Sequence, residues 1–229
     1  LRAVKDEAEL STIKSAQKIT DAAFTHILSY IKPGVAERDI ALELEYFMHK
    51  NGADGIAFDT ICVSGRKSSL PHGVPDETVI DKGFVTMDFG SKFGGYCSDM
   101  TRTVCVGKPD ADMIKVYNTV AEAQKRALES IKANVIGSEV DAAARDFIYA
   151  SGYEGCFGHS TGHSLGIEIH ENPNFSPSCK SEIPEGAVLS VEPGIYINGK
   201  YGVRIEDIVE ITADGCKNLT ESKKHLIIL

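Results

Sequence analysis

The sequence lacks any apolar run near the ~20 residues that a membrane-spanning helix needs. It is also short of basic residues, with 24 lysines and arginines against 33 aspartates and glutamates, and its net charge is -9. Affinity for nucleic acid depends on basic side chains that neutralise phosphates. We therefore expect neither a membrane nor a nucleic acid as a partner.

C-x-x-C pairs are also missing. The six cysteines are scattered along the chain, at Cys62, Cys97, Cys105, Cys156, Cys179 and Cys216. A disulfide framework or a thiolate zinc site would place cysteines at recognisable spacings. This pattern favours reduced thiols and predicts a cytoplasmic protein.

Apolar residues at helical spacing predict helices over residues 6–31, 37–51, 112–132 and about 138–150. Residues 57–64 alternate as a strand does. Two later regions predict β-hairpins, one around Gly94-Gly95 and one around residues 198–200.

The second half of the chain repeats the first at an offset of about 100 residues. Five residues recur at this offset, namely Ile31, Lys32, Val35, Phe47 and Gly52 as Ile131, Lys132, Val135, Phe147 and Gly152. Each copy has the order helix, loop, helix, then strands that end in an acid-bearing hairpin. Two such halves predict an α+β fold in which helices cover one face of a joint sheet and the other face forms a site.

The first hairpin carries Asp88 and Asp99. With a connection of two or four residues, their side chains lie on one face, directly opposite or one pair out of register. Facing carboxylates repel each other, so this arrangement requires a positive group between them or access to water. Because "VTMDFG" is otherwise apolar, we do not expect Asp88 to be a simple surface residue.

The second hairpin carries Glu192 and Glu206. A three-residue loop at 198–200 places these glutamates directly opposite each other. Pro193 has no N–H to donate, which predicts a bulge or an edge position there. Asp207 is expected on the opposite face.

Three of the seven histidines, His159, His163 and His170, fall within twelve residues around "STGHSLGIEIHE". Carboxylate oxygens together with imidazole suit manganese, cobalt, iron or zinc, and a set without cysteine disfavours structural zinc. Four acids and one histidine with bridging carboxylates imply two divalent ions that share an activated water. Such a site hydrolyses amides or esters.

Four motifs, "MDFG…SDMTRT", "STGHSLGIEIHE", "VEPG" and "GVRIEDIVEIT", resemble in this order those of the pita-bread metallopeptidases. That family holds methionine aminopeptidase, aminopeptidase P, Xaa-Pro dipeptidase and creatinase. The resemblance covers essentially the whole chain. It implies the pita-bread fold, with helices packed on one face of a curved antiparallel sheet, and a peptide substrate.

The resemblance also implies roles for particular residues. The ligands of two divalent ions, most simply manganese but also cobalt, zinc or iron, would be Asp88, Asp99, His163, Glu192 and Glu206, with Asp99 and Glu206 bridging. Glu192 would also serve as base for the attacking water. His72 and His170 match histidines that bind the substrate and the developing oxyanion. His159 matches a further active-site histidine of the proline-specific branch, and the alternative for it is an exposed loop residue.

Arg204 favours the proline-specific branch, because methionine aminopeptidases usually lack an arginine two residues before the second glutamate. Arg204 shares a strand face with Glu206, so it can orient a substrate carboxylate or hold an acidic partner. We therefore expect an Xaa-Pro dipeptidase. The alternatives are aminopeptidase P acting on longer peptides, methionine aminopeptidase, and a peptide-binding module without catalysis, which should have lost ligands.

The opening "LRAVKDEAEL" resembles the start of a catalytic domain in this family. We therefore expect residues 1–229 to be one catalytic domain, with about 110–140 further residues ahead of Leu1 in the natural protein. In the family that preceding segment often takes part in dimer contacts, which implies a homodimer for the full-length protein.

Overall fold

The computed structural model of the protein describes residues 2–229. Its helices are α1 (Glu7–Ile27), α2 (Glu37–Lys50), α3 (Ala111–Ser130) and α4 (Gly137–Ile148). Three of them lie within two residues of the predicted bounds. Helix α1 is the exception, because it ends four residues early, in a turn over residues 28–30. Pro33 requires the residue before it to be extended, so the chain leaves the helical conformation ahead of it.

The strands are short. They are β1 (Gly55–Ile56), β2 (Ile61–Ser64), β3 (Gly83–Phe89), β4 (Ser91–Phe93), β5 (Tyr96–Cys97), β6 (Met100–Val106), β7 (Gly162–Ser164), β8 (Glu171–Phe175), β9 (Val188–Val191), β10 (Gly194–Ile197), β11 (Tyr201–Arg204), β12 (Asp207–Ile211) and β13 (Cys216–Asn218). The predicted strand over 57–64 is wrong for its first four residues. They connect β1 to β2, and these two strands belong to different sheets.

The two halves share their backbone hydrogen bonds as well as their order of elements. Ile80 donates its N–H to the carbonyl of Val35 at 2.8 Å, and Ile183 donates to the carbonyl of Val135 at 2.9 Å. The residues just before these valines, Gly34 and Asn134, both adopt positive φ angles of 95° and 64°. The internal repeat predicted from the sequence is therefore present in three dimensions.

The first hairpin has a two-residue turn, one of the two connections that the sequence allowed. Phe93 pairs with Tyr96 across Gly94-Gly95, and in the same register Asp88 pairs with Thr101. This register sets Asp99 opposite Gly90, one pair away from Asp88 and on the same face. A Cβ atom at Gly90 would lie 2.0 Å from the carbonyl oxygen of Ser98, so only glycine fits there.

The second hairpin has the predicted register. Ile197 pairs with Tyr201 around the three-residue loop, and beyond the hairpin Val191 pairs with Asp207. Glu192 and Glu206 are therefore opposite each other, between two paired segments. Strand pairing stops at Glu192 and Pro193, as expected for a residue without an N–H.

The described strands form four hydrogen-bonded sheets, in the orders β1-β4-β5, β2-β3-β6, β10-β11 and β13-β12-β9-β7-β8. The predicted α+β class is confirmed, but the single continuous sheet that we expected is interrupted. Its breaks fall at Asp99, at Glu192 and at Glu206, where the chain leaves the ladder. Each half has its own apolar core, with α1 and α2 against β2, β3 and β6, and α3 and α4 against β9 to β12.

A buried arginine joins the halves. Arg102 on β6 is 1% exposed and forms an ion pair of 2.8 Å with Asp207 on β12. It also donates to the backbone carbonyls of Glu206, Ser222 and Lys223. One side chain therefore fixes a strand of the second half and the C-terminal segment to the first half.

None of the helices within residues 2–229 is long and apolar enough to cross a membrane.

We predict that Arg102→Met lowers the free energy of unfolding by about 3–5 kcal/mol, because it leaves Asp207 Oδ1 buried without its charged donor and removes the bonds to three backbone carbonyls. Lys224 and Asn218 still meet the other carboxylate oxygen, Oδ2. The matched control is Arg38→Met, which removes an exposed ion pair with Glu77 and should cost less than about 1 kcal/mol. Urea unfolding of the metal-free proteins measures both values. Equal losses of unfolding free energy in the two variants would show that Arg102 contributes no more to stability than an exposed ion pair.

Candidate metal centre

One cavity of about 430 Å³ is lined by residues of both halves. All nine predicted site residues line it, namely His72, Asp88, Asp99, His159, His163, His170, Glu192, Arg204 and Glu206. The fold brings together side chains that are up to 134 positions apart in the chain (206 − 72). Their chemical roles remain predictions.

The carboxylates reach the cavity from strand ends. Asp88 lies near the end of β3, Asp99 directly precedes β6, Glu192 directly follows β9, and Glu206 directly precedes β12. Asp99 and Glu206 are 3% and 1% exposed. The interruptions in the ladders therefore turn acidic side chains into the cavity from both hairpins.

His163 on β7 presents one ring nitrogen to these acids. Its Nδ1 lies 3.2 Å from the carbonyl oxygen of Ser164, which can only accept, so the hydrogen bond places the ring proton on Nδ1. The free Nε2 lies 3.5 Å from Asp99 Oδ2 and 3.3 Å from Glu192 Oε1. A backbone carbonyl that orients the ring in this way is typical of metal-binding histidines.

Three buried carboxylate oxygens have no hydrogen-bond partner within residues 2–229. They are Asp88 Oδ1, Asp99 Oδ1 and Glu206 Oε1. Leaving a buried carboxylate oxygen unsatisfied is costly unless a cation meets it. Ligand atoms of Asp99, His163 and Glu206 also lie within 4.8 Å of one another. The residues present therefore fit a divalent ion, and oxygen with imidazole nitrogen suits manganese, cobalt, iron or zinc.

Burial and crowding oppose ionisation of these acids. Burial raises the pKa of Asp99 and the pKa of Glu206 well above their ordinary values, and the neighbouring carboxylates raise them further. Burial raises the pKa of Glu192 to about 8, although Arg204 counteracts it. A bound cation reverses this effect, because it favours the charged form.

Arg204 is 2% exposed, and each of its nitrogens is bonded within the protein. One guanidinium nitrogen donates to Asp88 Oδ2 at 2.6 Å, and Nε donates to the hydroxyl of Thr101 at 2.9 Å. The other terminal nitrogen bonds to Tyr196 and to a loop carbonyl. Of the two expected uses of Arg204, the contact with an acidic partner is the one that the structure shows. Its contact with a substrate carboxylate remains a prediction.

His159 is not the exposed loop residue that was its alternative. Its side chain is 19% exposed, and its Nε2 lies 2.8 Å from the hydroxyl of Tyr196. Burial lowers the pKa of His159 to about 3, and the nearby Arg204 lowers it further in the same direction. The ring is therefore neutral at physiological pH.

Two residues that the sequence analysis did not single out support this site. The Tyr196 hydroxyl lies between His159 and Arg204, and the Thr101 hydroxyl donates to Glu206 Oε2 at 2.6 Å. Strand alternation could have identified Tyr196, because positions 192 and 196 of the same hairpin are an even number of residues apart and therefore face the same side. Nothing comparable distinguished Thr101 from its neighbours.

His72 and His170 are the more exposed histidines of the cavity. The His170 ring lies 4.4 Å from the His163 ring, centroid to centroid. Burial lowers the pKa of His170, and His163 contributes in the same direction. Both rings therefore stand where a bound molecule can meet them.

Comparison with known proteins agrees with this geometry. The family description Metallopeptidase family M24 matches residues 11–213. A Xaa-Pro dipeptidase of Pyrococcus furiosus is 43% identical over 228 residues, which cover 99% of this chain and 66% of that protein.

Two solved structures superimpose closely. A Xaa-Pro dipeptidase from Bacillus anthracis is 50% identical with a TM-score of 0.98, over 100% of this chain and 64% of that one. An X-Pro aminopeptidase from Thermotoga maritima is 44% identical with a TM-score of 0.98, over 100% of this chain and 65% of that one. The chain spans about 65% of the length of the curated relatives that it matches. Because the family match and these similarities extend over nearly all of its residues, this chain belongs to metallopeptidase family M24 and has the pita-bread fold.

Proposed function

We propose that this chain is the catalytic part of an Xaa-Pro dipeptidase that uses two divalent metal ions. The observation that carries the proposal is the convergence of the five proposed ligands, four carboxylates and the imidazole of His163, on a single cavity. The sequence similarity to Xaa-Pro dipeptidases supports the choice of substrate.

Asp88, Asp99, His163, Glu192 and Glu206 would hold the two ions, and manganese is the proposed metal. When bound, such a pair supplies a water that is activated near neutral pH and polarises the scissile carbonyl. Arg204 holds Asp88 and Thr101 holds Glu206, so two of the carboxylates are oriented before any ion binds. This preorganisation lowers the conformational entropy that is lost when the ions bind.

Glu192 is the proposed base. Its Oε1 accepts a hydrogen bond from the hydroxyl of Ser190 at 3.0 Å, which leaves Oε2 to take the proton of the attacking water. The adjacent His163 keeps its ring proton on Nδ1 and would use its free Nε2 as a metal ligand, which leaves Glu192 as the proposed proton acceptor. Glu192 would be held in its ionised form by bound cations, and in that form it can accept this proton.

His72 and His170 are the proposed donors to the oxyanion that develops on the carbonyl oxygen. Both line the cavity, and their partial exposure leaves ring nitrogens free to meet the substrate. Preorganised donors act where charge develops, so their effect falls on turnover more than on binding.

An aminopeptidase P activity on longer Xaa-Pro peptides is the second candidate, because the X-Pro aminopeptidase from Thermotoga maritima superimposes with the same TM-score of 0.98. Methionine aminopeptidase is less well supported, since Arg204 occupies a central place beside Asp88. A binding module without catalysis is disfavoured, because the five proposed ligands all line the cavity.

We further propose that the natural protein is a cytoplasmic homodimer with a domain ahead of Leu1. The greater length of the curated relatives supports the additional domain. Six unpaired cysteines support a reducing compartment. The homodimer rests on the family resemblance alone.

Glu206→Gln should reduce the bound metal from two ions to one or none and abolish hydrolysis, because an amide cannot bridge two cations as a carboxylate does. Glu210→Gln is the matched control, since Glu210 lies nearby on β12 and pairs with Lys14 away from the cavity. Metal analysis after dialysis measures the stoichiometry. Two tightly bound ions and normal turnover in Glu206→Gln would contradict the dinuclear assignment.

His72→Ala and His170→Ala should keep both ions and lower kcat by about 100- to 1,000-fold each, as expected for lost oxyanion donors. His49→Ala, at an exposed position on α2, should behave as wild type. Metal analysis and steady-state kinetics of the three variants provide the comparison. The assignment is wrong for either histidine whose loss removes metal but leaves turnover per bound metal unchanged.

Hydrolysis of Ala-Pro, Ala-Pro-Ala and Met-Ala-Ala by the manganese-loaded full-length protein separates the candidate activities. We expect Ala-Pro to be the preferred substrate, with proline release followed by a ninhydrin assay. Preference for Ala-Pro-Ala would favour aminopeptidase P, and preference for Met-Ala-Ala would favour methionine aminopeptidase. Binding of all three without cleavage would favour the peptide-binding module.

A further inference from the structure

An ion pair on α4 lies outside the cavity but holds its wall. Asp141 and Arg145 are one helical turn apart, and both carboxylate oxygens of Asp141 accept from the guanidinium, at 2.7 and 2.9 Å. The side chains are 2% and 15% exposed. Neither residue lines the cavity. Bidentate geometry and burial make this contact stronger and more directional than an ordinary surface pair.

Arg145 binds the backbone that leads to the histidine motif. Its guanidinium donates to the carbonyl oxygen of Phe157 at 2.8 Å and to that of His159 at 2.7 Å. It also lies over the Phe157 ring, with the guanidinium carbon 4.3 Å from the ring centroid. These contacts therefore fix the main chain on both sides of residue 158 from outside the cavity.

Asp141 binds the next part of the same segment. Its Oδ1 accepts from the backbone N–H of Thr161 at 3.0 Å and from the Thr161 hydroxyl at 2.9 Å. The carbonyl oxygen of Thr161 in turn accepts the backbone N–H of Glu192 at 2.7 Å. Through Thr161, the ion pair sets the position of the proposed base, and His163 follows two residues later.

The first half of the chain contains a similar device. Glu37 on α2 is fully buried and accepts from the backbone N–H and the hydroxyl of Ser64, at 2.6 and 2.8 Å. Lys67 completes it with an ion pair of 2.7 Å. In both halves, a buried acid on the second helix binds a hydroxyl residue twice and is neutralised by a cation. The pairing of these groups is thus a repeated feature of the fold.

We propose that Asp141 and Arg145 are positioning residues for the hydrolysis. They fix residues 157–161 and, through that segment, the placement of His159, His163 and Glu192. This inference rests on the proposed function. It adds that the geometry of the site depends on an ion pair that touches neither substrate nor metal.

Arg145→Met in the full-length protein is the first test. We expect the affinity for Co²⁺ and the kcat for Ala-Pro at saturating metal each to fall by about 10- to 100-fold, the range found when groups that orient metal ligands are removed. The Co²⁺ absorption spectrum should also change, because it reports the ligand geometry. The KM should change little, since no substrate contact is removed.

Arg126→Met is the matched control. Arg126 on α3 also pairs with an acid one turn earlier, Glu122, and its guanidinium carbon lies 4.0 Å from the centroid of the Phe147 ring. Its side chain forms no hydrogen bond to residues 157–161. The control should retain the wild-type Co²⁺ spectrum, Co²⁺ affinity and kcat.

Arg145→Lys tests whether the planar, branched geometry of the guanidinium group is needed. A lysine keeps the charge but cannot hold Asp141 bidentately and also reach two carbonyls, so it should restore little of the lost kcat. Thr161→Val keeps the ion pair intact and removes only the hydroxyl contact. This variant therefore still tests the proposal if Arg145→Met does not fold. Thr161→Val should show the same change in the Co²⁺ spectrum in weaker form, and Thr161→Ser should restore it.

Wild-type Co²⁺ affinity, spectrum and kcat in folded Arg145→Met would overturn the proposal. If that variant does not fold, an unchanged spectrum in Thr161→Val would overturn it. Equal losses in Arg126→Met would do so as well, because the effect would then follow from removing any paired helix arginine. Failure of the wild type to cleave Ala-Pro would refute the proposed function alone, since the Co²⁺ measurements decide the positioning role without turnover.

Discussion

The mutual repulsion of carboxylates in one buried cavity is the constraint on which much of this structure depends. Asp99 and Glu206 are nearly inaccessible to water, and Asp88 and Glu192 stand beside them. Charges gathered in this way are stable only when opposite charges or hydrogen-bond donors meet them. Arg204 satisfies one oxygen of Asp88, while the oxygens that remain without a partner point to the place of a bound cation.

Three of the four acids reach the cavity at interruptions of the sheet, whereas Asp88 does so from within β3, where it pairs with Ile61 and Thr101. A residue in the middle of a ladder has both backbone groups committed to its neighbours, whereas a residue at a break can turn its side chain toward a common centre. The breaks at Asp99, Glu192 and Glu206 coincide with the acids that face the cavity. Loss of some ladder pairing thus accompanies the convergence of these three acids on one point.

Ion pairs outside the proposed ligand set hold the chain segments that carry the site. Arg102 with Asp207 fixes the start of β12, beside Glu206. Lys5 meets Glu171 at 3.3 Å, with side chains 2% and 4% exposed, beside His170. These pairs neutralise charge that would otherwise be buried, and they leave the carboxylates of the proposed ligands available for cations. Rigid support around the ligands is what a preorganised metal site requires.

The sequence by itself determined the repeat, the register of the second hairpin, the common face of Asp88 and Asp99, and nine of the residues that line the cavity. Side-chain alternation and turn length act within a few residues, so the positions of Asp88 and Asp99 on one face followed from counting alone. Only the tertiary structure decided that Arg204 binds Asp88, that His159 is buried against Tyr196, and that the sheet is interrupted. Those facts depend on contacts between segments that lie far apart in the chain, 37 residues for His159 and Tyr196 and 116 for Arg204 and Asp88, and no local pattern specifies such contacts.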